Sequence, residues 1–148
     1  MRPPVKRPPF RAWLVVFAAL VSVTPARGSE PPVAVGEIHG ATSAGEFSAP
    51  LRSALVEGVQ VASLGRARER FVLSATLVRL DAERVGQGAR ATAAVSLVLR
   101  RAREQSLHAV LNGHATAEET NATLSETRED ALRAAVRSAL RGLPEAVR

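Results

Sequence analysis

The sequence predicts an α+β fold, a two-layer α/β sandwich whose largely antiparallel sheet carries two helices on one face. Three observations lead there. Residues 71–117 contain three runs in which apolar and polar side chains alternate, separated by short polar turns, as in an antiparallel meander with one buried face. Residues 50–58 and 128–143 instead repeat apolar side chains every three or four positions, the spacing of amphipathic helices. Both helices must bury their stripes, and the simplest arrangement lays them side by side on one sheet face. The predicted order is β-α-β-β-β-β-α, in a single domain over residues 33–148.

Residues 29–32 are a polar, proline-containing lead-in, and residues 33–39 (VAVGEIH) read as the first strand. A loop of small residues, 40–45, follows. Pro50 suits the first turn of a helix, where its missing N–H costs nothing. Leu51, Ala54, Leu55 and Gly58 then share one face, opposite Arg52, Ser53 and Glu57. Gly58 is the expected stop, and residues 59–64 (VQVASL) read as the second strand. In residues 71–80, Phe71, Leu73, Ala75 and Leu77 alternate with Val72, Ser74, Thr76 and Val78.

A Gly86-Gln87-Gly88 turn leads to residues 89–99, with Ala91, Ala93, Val95, Leu97 and Leu99 on one face. Residues 107–117 place Leu107, Ala109, Leu111, Gly113 and Ala115 on one side. Residues 118–126 read as a loop. Thr127 is the expected N-cap of the last helix, with acidic residues in its first turn favouring the helix dipole. Leu132, Val136, Ala139, Leu140 and Leu143 form its apolar stripe, and Gly142 and Pro144 mark its end.

The N-terminal segment is of a different kind. Residues 1–11 carry Arg2, Lys6, Arg7 and Arg11, residues 12–23 (AWLVVFAALVSV) are uncharged and apolar, and Thr24-Pro25-Ala26 offers small residues for cleavage. That order predicts a secretory signal peptide over residues 1–28. A bilayer-spanning helix needs about 20 apolar residues, so no transmembrane anchor is expected once the signal is cut. The chain has no cysteine, which leaves neither a disulfide nor a lipid-modified cysteine to expect. A periplasmic or secreted location follows.

Five of the six formal positive charges belong to that segment. From Ser29 onward there are 15 Arg against 14 Asp and Glu, a net of +1. The basic isoelectric point therefore does not indicate a nucleic-acid partner. From the same point there is no Cys, Lys, Tyr or Trp, and the aromatic residues are Phe47 and Phe71. Thiol nucleophiles, Schiff-base lysines and phenolic acids are excluded, as are stacking platforms for sugars or bases. No phosphate-cradling, dinucleotide or EF-hand motif is present, and no cofactor is expected.

Three groups of polar residues are candidates for chemistry. His108 and His114 have the same parity on one strand but stand about 20 Å apart, too far to share a zinc ion. Ser43, His39 and Glu37 contain the residue types of a hydrolytic triad, without the G-x-S-x-G turn; the expected role is a connecting loop. Arg133, Arg137 and Arg141 repeat every four positions and so stack on one helix face, where an acidic partner or anionic headgroup could meet them. Arg66, Arg68 and Arg70 and Arg100, Arg101 and Arg103 read as solvated turn clusters. The sheet face away from the helices is expected to show Val72, Ser74, Thr76, Val78, Thr92, Ser96, Val98, Val110 and Asn112. Contiguous exposed valines on such a face point to an interface.

The pattern VAVGEI at residues 33–38, LRSALVEGVQV at 51–61, RFVLSATLVRL at 70–80, VSLVLR at 95–100 and the closing ALRAAVRSALRG helix resembles a group of small bacterial envelope domains. The group includes the amino-terminal domain of TolB, the CsgG-type and penicillin-binding-protein-activator lipoproteins, and auxiliary lipoproteins of envelope transporters. The resemblance spans residues 33–143 and implies a non-catalytic scaffold. The expectation is an exported accessory domain that meets an envelope protein, or a second copy of itself, through Val72, Val78, Val98 and Val110 with help from Arg133, Arg137 and Arg141. Binding of a small ligand or lipid is the alternative, and serine hydrolysis through Ser43 a more remote one.

Overall fold

Alternation in sequence becomes two-sidedness in the sheet. The computed structural model describes residues 31–40, 45–62, 64 and 69–148. Its elements are β1 (Val33–Gly40), α1 (Ser48–Val61), β2 (Phe71–Val85), β3 (Gly88–Arg101), β4 (Leu107–Thr120), α2 (Leu124–Leu140) and the short α3 (Leu143–Ala146). The strands lie in the order β1-β2-β3-β4. β1 runs parallel to β2, and the other two pairings are antiparallel. The two long helices cover one face, giving the predicted α+β sandwich. The signal segment lies outside the described residues.

The strands are longer than their apolar alternation because hairpin pairing continues past the core. β2 and β3 meet at the two-residue loop Gly86-Gln87, where Gly86 takes a φ of 59°, the positive value that tight hairpin loops demand and glycine supplies. On the inner face β2 buries Phe71, Leu73, Ala75 and Leu77, while β3 buries Ala91, Ala93, Val95, Leu97 and Leu99. A bulge between Leu77 and Arg79 shifts the register, so that Leu80 and Ala82, not Arg79 and Asp81, continue the core side. β4 closes the layer with Ala109, Leu111, Ala115 and Ala117.

α2 lies very close to β4. A Cβ on Gly113 would overlap the Ala135 carbonyl oxygen and stand 2.6 Å from the Ala139 nitrogen. Glycine here lets helix backbone rest on strand backbone. α2 delivers Ala131, Leu132, Ala135, Val136, Ala139 and Leu140 to the core, and α1 delivers Leu51, Ala54, Leu55 and Val59.

Two local expectations change. The strand expected at 59–64 does not form: Val59–Val61 is the last turn of α1. Val59 follows Leu51 and Leu55 at four-residue spacing, so the helical stripe runs through Gly58 and outweighs a two-residue alternation. The sheet therefore has four strands. The N-cap of the last helix is Thr123, not Thr127. The Thr123 hydroxyl accepts from the Glu126 N–H at 3.2 Å, and the Glu126 carboxylate accepts from the Thr123 N–H at 2.9 Å, a reciprocal capping box. Thr127 is buried and donates its hydroxyl hydrogen to the Thr123 carbonyl at 2.9 Å.

Candidate functional site

The uncovered sheet face is ordered by cross-strand pairs. Ser74, Val98 and Val110 stand in one row across β2, β3 and β4. Val72 pairs with Arg100 in the neighbouring row, and Ala34 of β1 lies beside Val72. Thr76, Ser96 and Asn112 form the next row. Beyond them the face turns polar and internally paired. The Thr92 and Thr116 hydroxyls are 3.1 Å apart, and Arg90 donates from Nε and Nη2 to one Glu118 oxygen at 3.0 and 2.9 Å. Glu83 stands 3.8 Å from Arg90 on the other side. Arg79 and Asp81 form a further exposed ion pair.

One end of the face thus has its polar groups matched to one another, and the other shows valines. Val98 is half-buried by its neighbours, and Val110, on the edge strand, is 48% exposed. Val78 is 58% exposed as the extra residue of the β2 bulge, which sets it out of the Ser74–Val98–Val110 row. The alternation rule assigned it to this face without revealing the bulge.

A second bulge, between Leu99 and Arg100, moves two residues of β4 out of their expected positions. Leu107 pairs with Arg100 and is exposed, not buried. His108 turns to the end of the core, its ring centroid 4.9 Å from that of Phe71 and its Nε2 2.7 Å from the Ala146 carbonyl oxygen. It ties α3 to the sheet. His114 stays on the open face, where it pairs with Ala94.

The arginine stripe is on the other side of the molecule. α2 turns its apolar stripe into the core, which leaves Arg133, Arg137 and Arg141 along a groove between α1 and α2. The sheet therefore separates the arginines from Val72, Val98 and Val110, and the two groups cannot form one surface. The groove measures about 680 Å³, with Ala54, Gly58, Val61, Ala62, Leu140 and Pro144 as its apolar lining. Arg133 is held by Glu129 at 3.4 Å and Asp130 at 3.3 Å. Among the described residues no carboxylate pairs with Arg137 or Arg141.

Two carboxyls near the start of α2 are perturbed in opposite directions. The Thr123 N–H, and then its hydroxyl, hold Glu126 below the usual carboxylate range. Glu119 is pushed up by its hydrogen bond with Asp130, by the Asp130 charge, and by smaller effects of desolvation and Glu126. Among the described residues no three His, Cys, Asp or Glu side chains gather to hold a metal, and no helix is long and apolar enough to cross a membrane. His39 and Glu37 approach to 3.3 Å, both exposed. Ser43 lies outside the described residues, as do Arg66 and Arg68. Arg100 donates to the Gln105 carbonyl at 3.2 Å, and Arg101 pairs with Glu69 at 3.1 Å and Glu104 at 3.6 Å.

No family model matches the chain, and no curated protein does. Solved structures share its fold. A candidate lipoprotein from Caulobacter crescentus CB15 is 15% identical, with a TM-score of 0.50 over 79% of this chain and 88% of the other. A protein of family DUF330 from Xanthomonas campestris is 14% identical, with a TM-score of 0.52 over 75% and 80%. Both are bacterial proteins, and at these identities the likeness is one of fold.

Proposed function

We propose that this chain is an exported domain of the bacterial cell envelope that acts by contact with another protein, without catalysis, and that its contact surface is the valine end of the open sheet face. The single observation carrying this reading is the Ser74–Val98–Val110 row beside Val72. It is a strip of valines on an uncovered sheet whose far end pairs its polar groups with one another. Burying such a strip against a partner removes apolar area from water at little desolvation cost. Export is supported by the N-terminal charged, apolar and small-residue order, and an envelope location by the fold shared with a candidate lipoprotein.

The test is a crosslinking pull-down of C-terminally tagged protein from intact cells, comparing wild type with a Val98→Thr/Val110→Lys variant. Two aspartates would be a poor choice, because Val98 and Val110 are directly opposed and like charges across a strand pair destabilise it. The reading expects an envelope protein captured by wild type and lost with the variant, while Arg137→Glu retains it. Capture unchanged in the folded variant sinks this surface, and self-crosslinks alone replace the reading with a homo-oligomer. A serine-reactive phosphonate is expected to leave Ser43 unlabelled; labelling that disappears in Ser43→Ala would instead establish a hydrolase.

A further inference from the structure

The groove on the helix side is chemically unlike the open sheet face, and its walls carry two kinds of group at once. Val61 is 78% exposed at the end of α1, an apolar side chain that the described residues leave largely uncovered. Gly58 allows the Leu140 side chain to lie against the α1 backbone, which adds to the apolar part of the lining. Along the α2 wall stand Arg137 and Arg141, one helical turn apart and therefore on the same side, with no carboxylate among the described residues engaged by either. Arg133, the third arginine, is already occupied by Glu129 and Asp130.

We infer that this groove binds a single-chain amphiphile with one carboxylate head, a long-chain fatty acid in chemical class. The acyl chain lies along Val61, Gly58 and Leu140, and the carboxylate accepts hydrogen bonds from Arg137 and Arg141. Charge complementarity selects the head. Arg133 is satisfied by Glu129 and Asp130, whereas Arg137 and Arg141, engaged by no carboxylate among the described residues, present to the groove the positive charge that an anionic head meets. Arginine forks also match the two oxygens of a carboxylate. The volume of about 680 Å³ lies within the roughly 300–1,000 Å³ of small-molecule sites. Apolar lining with a few convergent polar groups is the usual make-up of such sites. This site is independent of the proposed protein contact, because the sheet lies between them.

The experiment is a fluorescence titration with cis-parinaric acid, using chain expressed from its full sequence and purified as the cell processes it. Saturable binding of one probe per chain is expected. Arg137→Glu/Arg141→Glu weakens it by about tenfold or more, as the loss of charge-assisted hydrogen bonds requires. Val61→Asp does the same from the opposite wall, and Val98→Thr/Val110→Lys leaves it unchanged. Palmitate displaces the probe, and hexadecanol, with the same chain and no charge, does so at least about tenfold less well. Circular dichroism establishes that each variant is folded; if the double Glu variant is not, Arg137→Gln/Arg141→Gln is read in its place. Absence of saturable binding, full affinity in the folded arginine variant, or equal displacement by hexadecanol overturns the inference. Stronger displacement by a phosphate-headed single-chain lipid overturns the choice of a carboxylate head.

Discussion

The two faces of the sheet are made by alternate residues of the same strands, yet they answer to different constraints. Leu97 is fully buried beneath the helices, whereas Val98, the next residue, stands on the open face. The inner face is governed by volume, since close-packed interiors tolerate neither voids nor excess methylenes. The outer face is governed by cross-strand pairing, in which each neighbour contributes a fraction of a kcal/mol. The inner residues therefore specify the fold, and the outer ones are free to vary with whatever the sheet meets.

That contrast is sharpest in paired substitutions. Leu97→Ala should destabilise the domain by about 3 kcal/mol, through lost burial and the cavity left behind. Val98→Ala, one residue along, should cost less than about 1 kcal/mol. Urea denaturation measures both, and equal costs would erase the distinction between the faces. Gly113→Ala is the opposite kind of damage to the inner side. The added methyl has to push α2 away from β4, at a cost of about 2 kcal/mol, and a neutral result would mean that the two elements are not in close contact.

Thr123→Ala removes the capping box and should cost about 1 kcal/mol, whereas Thr127→Ala leaves that cap intact. The smallest effect is one of pH. Because Glu126 is held low in the folded chain, its contribution is present above its unfolded pKa and lost as pH falls through the folded value. Glu119 is raised, so its contribution is present below its unfolded pKa and lost as pH rises through the folded one. Carboxyl NMR titration should find Glu126 titrating below Glu119, and Glu126→Gln should flatten the acid side of the stability curve. The reverse order of titration would remove the capping hydrogen bonds as the cause.

Much of the fold was legible because period-two and period-3.6 patterns seldom imitate one another over ten residues. The alternation from Phe71 to Leu77 and from Ala91 to Leu99 identified the inner face, and the stripe from Leu132 to Leu140 identified its cover. Legibility failed where two signals overlapped. Val59 and Val61 alternate as a strand would, but Val59 also extends the Leu51–Leu55 stripe, and packing onto the core favours the longer helix. Thr123 and Thr127 each precede an acidic residue by three positions, and the reciprocal bonds with Glu126 decide between them. The bulges that displace Val78 and Leu107 leave no periodic trace. The spacing of Arg133, Arg137 and Arg141 showed that they share a face, but not that α1 stands opposite, because helix pairing is a tertiary fact.

The place of α2 in the chain has a consequence for how the protein is made. Every strand precedes α2, and α2 supplies a large share of the side chains that cover the inner face. During synthesis the meander can form its local hairpins early, since neighbouring strands are joined by short turns. Its apolar side has only α1 to cover it until residues 124–140 have emerged. The nascent chain thus cannot complete its core until most of it has been translated, and until then a chaperone can still hold it. The inner face is fully covered only when α2 closes over the sheet.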